Sequence, residues 1–111
     1  MEGYKVFWQD VEVGRLINVI PDMWYLEGEF ESNETKTSLH FVKMASKFEA
    51  RQVILDPTKG IRAKLKNNDD AIINIIVMSI GVNSELFVRQ VFGDEQIDWL
   101  LKNVPETRPV N

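Results

Sequence analysis

Side chains able to carry acid–base or nucleophilic chemistry are few in this chain, and they do not gather. His40 is the single histidine, and there is no cysteine. A histidine general base needs an orienting carboxylate and a nucleophile within reach. Ser38 stands two residues from His40, but that neighbourhood reads as a helix start. The absence of cysteine removes thiolate nucleophiles, disulfides and thiolate metal sites together. Asn67-Asn68-Asp69-Asp70 lacks the glycine and the distal glutamate of a calcium loop. Asn and Asp are also what a tight turn selects. The glycines Gly3, Gly14, Gly28, Gly60, Gly81 and Gly93 form no phosphate-binding loop, and no nucleophile-elbow pattern occurs. These observations point to a chain that is not an enzyme, has no catalytic residues, holds no metal and takes no cofactor.

Binding chemistry is better marked. Trp24-Tyr25-Leu26-Glu27-Gly28-Glu29-Phe30-Glu31 alternates apolar and charged residues. Successive side chains of a strand point to opposite faces. Trp24, Leu26 and Phe30 therefore share one face, and Tyr25, Glu27, Glu29 and Glu31 the other. Trp24, Tyr25, Glu27, Glu29 and Glu31 are the candidate binding residues, with the carboxylates meeting a basic partner and Tyr25 as the amphipathic anchor. The alternative is a plain wet face. Arg62, Lys64 and Lys66 also alternate, and if their strand lay beside the acidic one the two rows would pair charge for charge. A further basic stripe, Lys43, Lys47 and Arg51, falls at helical spacing. Sharing a side with Arg62, Lys64 and Lys66, it would make an anion-binding patch.

The elements that must position these groups follow from periodicity. Tyr4 to Trp8 and Val11 to Ile17 read as a hairpin, Pro21-Asp22 as a turn, and Met23 to Glu31 as a third strand. Phe41, Met44, Ala45 and Phe48 predict a helix over 39–51, capped by Thr37 or Ser38. Asp56-Pro57-Thr58-Lys59-Gly60 is a turn. Ile61 to Lys66 is a strand, and Ala71 to Ile80, apolar on both faces, is a central one. Leu86 to Phe92 is its hairpin partner. Asp94 caps a last helix with Ile97, Leu100, Leu101 and Val104 as its apolar stripe, stopped by Pro105. No internal repeat is visible. The expected fold is α+β: a curved, mainly antiparallel sheet of about six strands with two helices, in the order βββ-α-βββ-α. Residues 1–105 form the single domain and 106–111 a flexible tail.

Composition agrees with one compact domain. The chain has 111 residues with 44% apolar and 27% charged, a balance that argues against disorder. A net charge of −4 disfavours a general nucleic-acid binder. The most apolar segment, 71–81, is too short to span a bilayer, and no secretory signal opens the sequence, so a cytoplasmic protein without membrane or nucleic-acid partners is expected. Three functions fit. The first is a non-enzymatic protein that binds another protein, as an inhibitor or immunity-type partner of a basic target would. The second is a small-ligand-binding domain or minor enzyme with a pocket between sheet and helix, served by Tyr25, His40 or Arg89. The third is a structural homodimer, formed through the aromatic first hairpin or an edge strand.

Overall fold

The computed structural model describes residues 3–109. Six strands and three α-helices follow one another among them: β1 (Tyr4–Trp8), β2 (Val11–Asp22), β3 (Tyr25–Ser32), α1 (Lys36–Ala45), α2 (Ala50–Leu55), β4 (Ile61–Lys66), β5 (Ile72–Ile80), β6 (Glu85–Val91) and α3 (Asp94–Asn103). A single 3-10 turn, Pro57–Lys59, precedes β4. The class is α+β, as the periodicity predicts. The sheet is not open, however: the strands close into an antiparallel barrel in the order β1-β2-β3-β6-β5-β4, with β4 paired back to β1.

Every strand sends residues into the ring. Val6 and Trp8, Val13 and Leu16, Leu26 and Phe30, Ala63 and Leu65, Ile75 and Val77, and Leu86 and Val88 all enter one buried cluster. A barrel this narrow is filled by its own side chains. A bulge between Ile17 and Ile20 bends β2 around the barrel. Gly28 is required on β3, because a Cβ there would stand 2.6 Å from the Ile17 carbonyl oxygen.

α1 stoppers the barrel. It touches β2 and β5, which lie on opposite sides of the ring, and it contributes Phe41, Met44 and Ala45 to the inner cluster. A helix meeting both conditions must lie across the mouth. A second cluster forms outside, where Ile76, Met78 and Val91 are covered by Val53 of α2 and by Leu100 and Val104 at the end of α3. β5 is therefore apolar on both faces because one face fills the barrel and the other lies under helices.

Several boundaries differ from the periodicity. The helix expected over 39–51 is two helices. Thr35, not Thr37 or Ser38, caps α1, its hydroxyl accepting from the Ser38 N–H at 3.2 Å. The chain breaks after Ala45, and Phe48 packs against both clusters from the break. Lys43, Lys47 and Arg51 thus sit on α1, in the connection and on α2, and form no single stripe. Asp94 lies inside α3, with Gly93 at the cap, and Leu101 of its expected apolar stripe is 53% exposed. The turn falls at Met23-Trp24, two residues later than Pro21-Asp22, so Trp24 leaves the strand face shared with Leu26 and Phe30.

The tail, expected to be flexible from residue 106, is bonded along its described part. β1 and β4 pair over only Lys5, Val6 and Phe7 opposite Lys66, Leu65 and Lys64. The start of β4 is covered instead by residues 104–108. The Arg62 backbone N–H donates to the Pro105 carbonyl at 2.9 Å, and its Nη1 to the Val104 carbonyl at 2.7 Å. The Trp8 indole N–H donates to the Glu106 carbonyl at 2.6 Å, and Arg108 Nε to the Gly60 carbonyl at 2.9 Å. The tail completes the seam that the two strands leave unpaired.

Candidate binding surface

The alternation of β3 buries Leu26, Gly28 and Phe30 and turns Glu27, Glu29 and Glu31 outward, exposed. What stands beside them is set by the barrel. The neighbours of β3 are β2 and β6. Glu27 faces Ile20 and Phe87, Glu29 faces Ile17 and Glu85, and Glu31 faces Arg15. Glu85 is exposed as well and stands directly across from Glu29, a like-charge pair that costs stability. Among the described residues no ion pair reaches Glu27, Glu29, Glu31 or Glu85.

The basic strand is as far from this ridge as the ring allows. β3 and β4 are three positions apart in either direction, so cross-strand pairing of the two rows is ruled out. Arg62, Lys64 and Lys66 find acids of their own: Glu106 at 3.2 Å, Asp10 at 3.9 Å and Asp70 at 3.9 Å. Lys66 also lies over the Phe7 ring, 5.6 Å from its centroid. On one side of the barrel the basic row is ion-paired; on the opposite side the carboxylates of β3 and Glu85 make no ion pair among the described residues, although Arg15 stands across from Glu31.

Trp24 and Tyr25 lead from the ridge to a groove. The Trp24 carbonyl accepts from the Gln90 N–H at 2.7 Å, which ties the turn to the end of β6. Tyr25 is half-buried, stacked on Phe87 with centroids 5.5 Å apart. Beyond it, Trp24, Arg89, Phe92, Gln96 and Trp99 wall an open groove of about 450 Å³ between the end of β6 and α3, floored by Ile76. Phe92 is 59% exposed, Trp24 42% and Trp99 40%. The Arg89 guanidinium lies over the Trp24 ring, 6.0 Å from its centroid.

The five candidate residues are therefore divided. Glu27, Glu29 and Glu31 form the ridge, Trp24 belongs to the groove, and Tyr25 joins the two. Of the three polar groups expected at a pocket, Arg89 is at the groove, Tyr25 is beside it and His40 is elsewhere, edge-on to Trp8 at 5.4 Å. Ser38 is buried and shares a hydrogen bond of 2.6 Å with the Ser32 hydroxyl. Among the described residues no three His, Asp or Glu side chains gather as metal ligands. Glu85, Phe92, Gln96 and Trp99 were not distinguished by sequence. Trp99 carried a signal, since it lies off the apolar stripe of α3 and a large aromatic placed there must face something other than the core.

The proposed homodimer surfaces change too. A closed barrel offers no free edge, and the first hairpin sends Val6 and Trp8 into the core. No helix among the described residues is long and apolar enough to cross a membrane. Comparison with protein-family models, curated proteins and solved structures returns no match to this chain.

Proposed function

We propose that this chain is a non-enzymatic binding protein whose acidic ridge, Glu27, Glu29, Glu31 and Glu85, docks a basic protein partner, in the manner of an inhibitor or immunity-type protein. One observation carries this reading: among the described residues the ridge makes no ion pair and sets Glu29 against Glu85, while the basic row on the opposite side of the same barrel is ion-paired. A fold gains nothing from Glu29 facing Glu85, so the arrangement is accounted for by something outside the fold. Exposed Trp24 and half-buried Tyr25 at the foot of the ridge add the residue types that anchor interfaces. Recognition runs through side chains, because a closed barrel cannot accept an added strand.

The test is affinity capture from the cells that make the protein, with wild type and an E27K/E29K/E31K variant immobilised side by side. The expected result is a basic protein held by wild type, released by salt and absent from the variant. Equal capture by both proteins contradicts the proposal. A second reading, a small-ligand-binding domain, is favoured by the groove beside Arg89.

A further inference from the structure

The groove and the ridge adjoin but differ in chemistry. Among the described residues that line the groove, Arg89 is the charged one, and its companions are three exposed aromatics and the polar amides of Gln90 and Gln96. No ion pair engages Arg89 among the described residues. Its guanidinium is held instead over Trp24, with the planar fork beside an aromatic wall. A volume of about 450 Å³ lies within the range of small-molecule sites. Resting on the second reading above, we propose that this groove binds a small planar aromatic molecule carrying one negative charge. The ring stacks against Trp24, Phe92 and Trp99, and the anion meets Arg89, whose donors suit a carboxylate in two-point contact. The amides of Gln90 and Gln96 serve the polar rim.

Charge selectivity has a built-in opponent. Tyr25 pairs with Arg89 and Glu27 with Phe87, which sets Glu27 diagonal to Arg89 on the same outer face. Glu27 therefore repels the anion that Arg89 attracts, and its removal strengthens binding.

Three probes separate the contributions: 2-naphthoate, neutral 2-naphthalenemethanol and cyclohexanecarboxylate. Each is titrated into the full chain while the tryptophan indole N–H signals are followed by NMR. Trp24 and Trp99 report the groove, and Trp8, fully buried, reports the core. Naphthoate is expected to shift the Trp24 and Trp99 signals, leave Trp8 in place, and bind roughly tenfold or more tighter than either control. R89Q is expected to bring naphthoate down to the level of the neutral probe, and E27Q to raise its affinity. Naphthoate binding no tighter than naphthalenemethanol overturns the proposal on wild-type protein alone. So does an R89Q variant with its Trp8 signal unmoved and its naphthoate affinity intact. Loss of capture by the E27K/E29K/E31K variant with no naphthoate binding would refute this site and leave the ridge standing.

Discussion

At the scale of single residues, the energetic oddity is Glu29. Its side chain faces Glu85 across the β3–β6 pairing, and no ion pair relieves either among the described residues. Directly opposed like charges destabilise a sheet by a fraction of a kcal/mol. E29Q is therefore expected to stabilise the protein by about 0.2–1 kcal/mol in urea unfolding, more at low salt than at high. A loss of stability would mean that Glu29 serves the fold. Asp56 shows the opposite logic. The Thr58 hydroxyl donates to its carboxylate at 2.6 Å, and this hydrogen bond holds the carboxyl below its ordinary value. A folded value below the unfolded one stabilises the protein fully above the unfolded value, and the effect fades as pH falls through the folded value. In an NMR titration Asp56 should titrate below the ordinary aspartate value, and T58A should move its midpoint upward. An unmoved midpoint in T58A would assign the shift to another cause.

At the scale of elements, strands were the legible part. Alternation marked β3 and β4, β-branched and aromatic content with turn residues marked β1, β2 and β6, and the double-sided apolar run of β5 announced burial on both faces, which the inner and outer clusters explain. The helix over 39–51 was misread because Phe41, Met44, Ala45 and Phe48 keep helical spacing across a break. Periodicity records which residues are buried, and it does not record that Phe48 reaches both clusters from outside a helix. The described part of the tail shows a related limit of composition. Its residues bury little apolar surface, but the Glu106 carbonyl accepts from Trp8, the Glu106 carboxylate from Arg62, and Arg108 donates to the Gly60 carbonyl, and hydrogen bonds of that kind leave no mark on composition. Deleting residues 105–111 is expected to cost about 2–4 kcal/mol, several net hydrogen bonds at roughly 1 kcal/mol each. Urea unfolding measures it, and a change of under about 0.5 kcal/mol would show that the β1–β4 seam holds without the tail.

At the scale of the whole molecule, closure decides what the surface means. Each strand and long helix of the first half has a counterpart in the second: β1 with β4, β2 with β5, β3 with β6, α1 with α3. The counterparts β1 and β4 pair antiparallel, as do β3 and β6, so the strand order around the ring is symmetric between the halves. The helices depart from this pattern, α1 across the mouth and α3 on the outer wall. No residue repeat betrays this symmetry. It also sets β3 opposite β4, and so separates the acidic row from the basic one. Sequence identified both rows as faces of strands and could not say whether they met, because strand order depends on long-range pairing. The same limit hid the groove, whose walls come from a turn, the end of β6 and α3. Once the ring is closed, the carboxylates of β3 have no basic row to neutralise them.

The claim that this ridge is a docking surface is tested most directly by zero-length carbodiimide crosslinking of the captured complex, followed by mass spectrometry. This chemistry joins a carboxylate to an amine only where the two are in contact. Crosslinks from partner lysines are predicted at Glu27, Glu29, Glu31 or Glu85. Crosslinks confined to Asp10, Asp70 or Glu106, on the opposite side of the barrel, would contradict the account.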